Sequence, residues 1–224
     1  MNYQVFRLLK PEEVSAMVSF VSQQAFVDGK VTARGLAGAV KHNLQIPRTG
    51  AELSEADRLL ISAMQGNKEF QRFAYPKRIM LPIFSRYDTG MKYGSHIDDG
   101  IMNSRNGDPV RSDIAVTIFL SPAASYDGGE LVVELPMGEE EIKLDAGEAV
   151  AYSANSIHHV NPVTRGVRLA AVTWVQSMVR DEQMRAILCD LGRAITQVSA
   201  SGNRDLILLL NKNFHNLLRY AAEP

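Results

Sequence analysis

The spacing of apolar side chains divides the chain into a mixed N-terminal stretch, a long middle of short alternating runs, and a helical tail. Tyr3, Val5, Phe6 and Leu8 alternate loosely and predict a first strand. Pro11-Glu12-Glu13 then opens a helix, because proline suits the first turn and acids favour the positive end of the helix dipole. Val14, Met17, Val18 and Val21 give that helix its apolar face, and Asp28-Gly29-Lys30 turns the chain. The glycine- and alanine-rich segment from Val31 to Asn43 has no period that types it. Ser54-Glu55-Ala56-Asp57 begins a second helix with Leu59, Leu60, Ile61 and Met64 on its buried side. Gly66-Asn67 interrupts that helix before Phe70 and Phe73, and Pro76 closes the region.

From Arg78 to about Gln176 the period changes to that of strands. Runs at 78–87, 113–120, 130–135, 140–144, 149–153, 158–160 and 169–175 alternate or are β-branched, with turns at Asp127-Gly128-Gly129 and Asp145-Ala146-Gly147-Glu148. Many short strands with regular turn signals predict a sandwich or barrel, with a jelly roll as the candidate. Residues 181–224 return to helical spacing. Met184, Ile187, Leu188, Leu191 and Ile195 form one stripe; Leu206 to Leu210 with Phe214, Leu217 and Leu218 form another beyond Ser199–Asn203. The fold expectation is therefore mainly β with flanking helices: N-terminal strand and helices over 1–77, a β core over 78–178 and a helical segment over 179–224. The last helix is apolar enough to predict packing on the core or self-association into a homo-oligomer.

Composition narrows the function classes. The 224 residues carry a formal net charge of −1, and the basic clusters are short and interrupted by acids, so neither nucleic acid nor an acidic membrane is an expected partner. The single cysteine, Cys189, excludes an intrachain disulfide and a multi-cysteine zinc site; its apolar neighbours predict a buried, inert thiol. The opening MNYQVFRLLKPEE lacks the features of a signal peptide, and no run reaches the ~18–20 apolar residues of a membrane span. A cytoplasmic protein is expected.

The chemistry lies in His96-Ile97-Asp98. Residues i and i+2 of a strand face the same way, so both side chains can reach one ion. A histidine from a later strand would complete two nitrogens and one oxygen, a set that holds one face of iron(II) and leaves the other open. His158 and His159 are both available, and as neighbours on a strand they face opposite sides, so one alone can serve. His42 and His215 lie in loop or helical contexts suited to surface or packing roles. Arg168, in Arg165-Gly166-Val167-Arg168, could clamp a carboxylate in bidentate fashion. A dicarboxylic 2-oxo acid would satisfy both ends, chelating the metal and meeting the guanidinium. Zinc in a metal-dependent hydrolase could use the same ligands, with Asp99 the one close acid for a base, and a non-enzymatic β-sandwich could sense iron or a 2-oxo acid with them.

Phe84-Ser85-Arg86-Tyr87-x₂-Gly90-x₂-Tyr93-x₂-His96-x-Asp98, then Gly128-Gly129-Glu130-Leu131, then Ser156-Ile157-His158-x₂-Asn161-Pro162-Val163-x₂-Gly166-x-Arg168 resembles the prolyl 4-hydroxylase-like branch of the iron(II)/2-oxoglutarate dioxygenases. The closer resemblance is to the bacterial PKHD-type hydroxylases, a group linked to iron-uptake loci; Trp174 to Asp181 is similar to that group too. The resemblance spans nearly the whole chain. It implies a double-stranded β-helix (jelly roll) core, His96, Asp98 and His158 as ligands of Fe(2+), and Arg168 as the 2-oxoglutarate anchor. Arg165, in its turn, is suited to solvent. It further implies that Tyr87 contacts the cosubstrate and that Tyr93 lines the pocket mouth. The implied reaction is hydroxylation of an unidentified small molecule or peptide by O2, with succinate and CO2 as coproducts and L-ascorbate as a further cofactor. Gly128 and Gly129 need no catalytic role beyond a tight turn and close backbone approach, Trp174 is expected in the core or pocket wall, and residues 99–107 are expected to form a loop over the site.

Overall fold

A computed structural model describes residues 3–33, 35–47, 53–104, 106–200 and 202–224. Two antiparallel sheets face each other. The larger runs, in spatial order, Tyr3–Arg7, Glu148–Ser153, Ile114–Phe119, Arg168–Ser177, Ile83–Tyr87, Leu44–Gln45 and Val27–Asp28, with Pro76–Ile79 also paired to Arg168–Ser177. The smaller runs Gly138–Ile142, Leu131–Leu135, His158–Val160, Lys92–His96 and Lys41–His42. This is the jelly roll with flanking helices that the strand spacing predicts. The N-terminal residues enter both sheets as well as the helices.

Two apolar layers explain why Ile114–Phe119 is buried throughout instead of alternating. Ile114, Val116 and Ile118 point into a layer shared with Leu60, Met64 and Phe70 of the N-terminal helices. Ala115 and Phe119 point into the space between the sheets, with Leu131, Val133, Val150 and Val160. A strand covered on both faces has no polar side to show. Arg168–Ser177 runs beside it and obeys the same parity: Ala171 and Val175 face the helices, whereas Trp174 packs with the inter-sheet layer.

Several local features depart from the sequence expectation for identifiable reasons. The 78–87 run divides into Pro76–Ile79 and Ile83–Tyr87 around Pro82, which has no N–H to give a ladder. Both pieces still pair with one strand, Ile79 opposite Val175 and Ile83 opposite Val172. The interruption expected at Gly66-Asn67, by contrast, is present: Glu55–Gly66 and Lys68–Ala74 are separate helices, because the Asn67 side chain accepts from the Phe70 N–H at 2.9 Å and restarts the chain as an N-cap. The untyped 31–43 segment holds a short helix, Gly35–Ala39, and the strand Lys41–His42. Residues 99–107 are not a simple loop: Ile101–Asn103 pairs with Pro109–Arg111 as a hairpin, turned by Gly107 at φ 84°. Arg105 of that stretch lies outside the described residues.

The two C-terminal helices, Glu182–Ser199 and Arg204–Ala221, bury Leu188 and pack Met184, Phe214, Leu217 and Leu218 around Tyr75 and Val179. Cys189 is buried and unpaired, and burial pushes its thiol up. Leu208 and Leu209 remain 67% and 53% exposed, so part of the apolar row of the last helix is left uncovered by the described residues. No helix among the described residues is long and apolar enough to cross a membrane.

Phe70 has no exposed surface and its ring lies 5.8 Å from that of Phe6. Phe70→Ala is expected to cost about 3–5 kcal/mol in urea unfolding, and Leu208→Ser under about 0.5 kcal/mol. Comparable losses in the two variants would contradict this placement of the core.

Candidate metal and oxo-acid site

His158 and His96 are directly opposite each other on neighbouring strands. Their rings lie 4.3 Å apart, and His158 Nε2 is 3.8 Å from Asp98 Oδ2. One donor atom from each of His96, Asp98 and His158 falls within 4.8 Å of the other two. His96 ends the Lys92–His96 strand, and Asp98 follows it on the same side two residues on. His159, next to His158, pairs opposite Val132 and faces away from this cluster.

The backbone orients both imidazoles. His96 Nδ1 lies 2.8 Å from the Gly94 carbonyl oxygen, and His158 Nδ1 lies 3.0 Å from that of Ser156. A carbonyl only accepts, so each Nδ1 carries the hydrogen and donates it. Each Nε2 is then left with a free lone pair. Burial, aided by the nearby His158, holds the His96 imidazole down at about 4, so it is neutral at pH 7. Burial raises the Asp98 carboxyl, opposed by His158 and by a hydrogen bond from Trp174. That bond, from Trp174 Nε1 to Asp98 Oδ2, is 2.8 Å long. Two imidazole nitrogens and one carboxylate oxygen, turned to a common point and each held by a hydrogen bond from behind, fit a divalent cation that keeps open positions.

Arg168 lies 1% exposed on the inter-sheet side of its strand. Its guanidinium sits 5.1 Å from the Tyr87 ring and 5.3 Å from the Phe119 ring, and Tyr87 is its direct partner on the neighbouring strand. The Arg168 Nε and the Tyr126 hydroxyl are both buried without hydrogen-bond partners. No carboxylate among the described residues forms an ion pair with Arg168. An unpaired buried guanidinium is costly, and a bidentate carboxylate answers that cost directly. Gly129 makes room: at φ 68° its missing Cβ would lie 3.0 Å from Arg168 Cδ. Gly129 therefore does more than turn the chain. Arg165, by contrast, is exposed and grips Asp127 with Nε–Oδ2 of 2.6 Å.

Two features escaped the sequence reading. Trp174 is a partner of Asp98 rather than only wall; its even spacing from Arg168 put it on the site's face, but nothing in the sequence named its acceptor. The other is the row Lys41, Asn43 and Gln45, buried to 5%, 2% and 4% exposure, with exposed His42 between the first two. Gln45 Nε2 donates to Ser85 Oγ at 3.1 Å, and both atoms of the Asn43 amide lack partners. Tyr93, opposite Lys41, stacks on His96 at 3.7 Å. A polar cleft of about 470 Å³ between Ser112, Asn155, Arg180 and Arg185 contains none of these groups.

Comparison with known proteins agrees with this chemistry. Residues 82–176 match the model of the 2OG-Fe(II) oxygenase superfamily. A PKHD-type hydroxylase of Paracoccus denitrificans (strain Pd 1222) is 41% identical over 219 residues, covering 96% of both chains. Another, from Caulobacter sp. (strain K31), is 40% identical and covers both chains fully. Among solved structures, a Pseudomonas putida prolyl-4-hydroxylase aligns with TM-score 0.54 at 20% identity, over 79% of this chain and 92% of that one. HygX from Streptomyces hygroscopicus, with nickel, 2-oxoglutarate and hygromycin B bound, aligns with TM-score 0.56 at 11% identity, over 79% and 83%. These last two likenesses are of fold.

His96 titrates at about 4 in the folded chain against an ordinary 6.5. Between those values the unfolded chain binds the additional proton, so this group's contribution weakens folding as pH falls from 6.5 towards 4. Asp98, raised above 3.8, acts in the opposite sense. Metal-free wild type is expected to lose more Tm over that interval than His96→Asn. An equal loss would contradict the burial of the His96 ring.

Proposed function

The chain belongs to the PKHD-type hydroxylases of the 2OG-Fe(II) oxygenase superfamily, and we propose that it hydroxylates a small molecule or peptide at a site built from His96, Asp98, His158, Arg168 and Tyr87. It is an iron(II)- and 2-oxoglutarate-dependent dioxygenase, with O2 as its other cosubstrate. In this reading the two Nε2 atoms and the Asp98 carboxylate hold the iron, Arg168 takes the far carboxylate of 2-oxoglutarate, and Tyr87 lines the cosubstrate pocket. The observation that carries it is the buried Arg168 guanidinium, with no ion pair among the described residues and an unpartnered Nε, turned into the same inter-sheet space as the His-Asp-His cluster.

Bound iron(II) supplies the oxidative chemistry, in which 2-oxoglutarate is converted to succinate and CO2 while a C–H bond of the substrate is hydroxylated. The chain's own contribution is placement. The Gly94 and Ser156 carbonyls fix the imidazole rings, and Trp174 holds one Asp98 oxygen at 2.8 Å, which limits the carboxylate's rotation. Arg168 and the Tyr87 and Phe119 rings around it form a dry seat for an anion, where charge-assisted hydrogen bonds are strong. The 101–111 hairpin follows Asp99 directly and is placed to bear on substrate choice.

The proposal extends to three further points. L-ascorbate serves as an accessory cofactor, tested by whether it prolongs turnover. A role in iron uptake rests on the likeness to PKHD-type hydroxylases, and a protein level unchanged by iron limitation would count against it. Self-association uses the exposed Leu208 and Leu209 row; sedimentation of Leu208→Ser against wild type reads it out.

Arg168→Ala is expected to raise the KM for 2-oxoglutarate by about 100-fold, the scale of a desolvated charge-assisted pair, while succinate formation persists at saturating cosubstrate. An unchanged KM would remove Arg168 from the cosubstrate pocket.

A further inference from the structure

Lys41 is a second buried cation of this site, and the reading above gives it no task. It is 5% exposed. Its Nζ donates to Thr32 Oγ1 at 2.9 Å and lies 5.0 Å from the centre of the Tyr93 ring. Tyr93 in turn stacks on His96 at 3.7 Å, so Lys41 stands behind the metal-binding end, whereas Arg168 lies against Tyr87 and Phe119. Among the described residues no carboxylate comes within ion-pair distance of Lys41. Thr32 is itself committed, because its hydroxyl donates to Gln45 Oε1 at 2.5 Å. An ammonium has three donors; here one is used within the chain and the face of an aromatic ring partly balances the charge.

A purely structural role does not account for this arrangement. Burying an ammonium costs several kcal/mol unless it is paired, and a methionine would fill the same volume without that cost. Burial holds the amine down at about 8, with Asp98 and then exposed Asp28 acting upward, so it is still mostly charged at pH 7. Asp98 does not serve as its partner, since it faces the two imidazoles and Trp174. With iron(II) and the dianion 2-oxoglutarate in place, Asp98, Arg168 and Lys41 together would leave one surplus positive charge, two of its carriers buried to 1% and 5% exposure.

We propose that Lys41 is a second carboxylate-binding residue of the site, separate from Arg168 and set at its metal-binding end. This rests on the dioxygenase reading above. The carboxylate has two possible sources: the primary substrate, which would then be an acid or a peptide presenting a carboxylate, or the metal-proximal end of 2-oxoglutarate. The charge count favours the primary substrate. Tyr93, Thr32 and Gln45 act on Lys41 as positioning residues.

Trp174 is the single tryptophan of the chain and touches Asp98, so its fluorescence reports ligands at the site. Nickel(II)-loaded protein is titrated first with 2-oxoglutarate, and then, with 2-oxoglutarate saturating, with N-acetylglycine and its neutral amide as control. Wild type and Lys41→Arg are expected to bind N-acetylglycine at least about tenfold tighter than the amide, and Lys41→Met to lose that preference with its 2-oxoglutarate affinity unchanged. A tenfold weaker 2-oxoglutarate affinity in Lys41→Met would instead assign the carboxylate to the cosubstrate. If Lys41→Met and the polar but uncharged Lys41→Gln keep the wild-type Tm and bind both acids as wild type does, the proposal is overturned. Should neither variant fold, wild type decides: a tenfold preference for acid over amide supports the proposal, and none overturns it. Failure of wild type to bind 2-oxoglutarate at all would strike the dioxygenase reading instead, which keeps the two claims apart.

Discussion

The antiparallel register that sets His158 opposite His96 is the constraint on which this site depends. A strand's side chains alternate, so a slip of one residue would bring His159 to the inner face and send His158 outward. The register is held at a distance from the histidines. Leu131 faces Val160 and Ile142 on its two sides, and these residues bury their side chains between the sheets. The apolar core therefore selects the histidine, and the backbone carbonyls of Gly94 and Ser156 then select its tautomer. Asp98 needs no separate strand, since it follows His96 at the spacing that returns a side chain to the same face.

Around that cluster the chain keeps charge where folding alone would discard it. Arg168 and Lys41 are both nearly inaccessible, and neither has a carboxylate partner among the described residues. Asn43 adds an amide with two unmet hydrogen-bonding atoms. Each lowers the stability of the empty protein, because a buried polar group loses water without recovering its hydrogen bonds. The layer of Leu60, Met64, Phe70 and Ile118 on the far side of the large sheet offsets these costs. In the proposed reading the same charges would become favourable on binding an anion, in a medium that strengthens charge–charge attraction. Stability is thus concentrated on the helix-covered face of the large sheet, and the uncompensated polar groups lie on its other side.

Much of this was legible in the sequence, and the boundary has a physical basis. Strands such as Leu131–Leu135 and His158–Val160 announce themselves through β-branched and apolar alternation beside glycine turns. The His-x-Asp pair, the later histidine and the arginine ten residues beyond it are local patterns whose chemistry follows from side-chain type. Pro82 and Gly107 changed boundaries because each acts through one backbone group, which leaves the hydrophobic period nearly untouched, whereas the break at Gly66-Asn67 was legible. The hydrogen bond from Trp174 to Asp98 spans 76 positions and could not be named before the sheets were assembled. Lys41 was hidden for another reason. The Lys41-His42-Asn43-Leu44-Gln45 row alternates, but with polar residues inward, opposite to the usual sense of burial, so it carries no hydrophobic signal at all.

The central claim is that His158, not its neighbour, joins His96 and Asp98 around one iron. Anaerobic equilibrium dialysis of iron(II) against wild type, His158→Ala and His159→Ala tests it most directly. The account predicts a single tightly held iron in wild type and His159→Ala, lost in His158→Ala while the chain stays folded. Retention of iron by His158→Ala with loss in His159→Ala would contradict it.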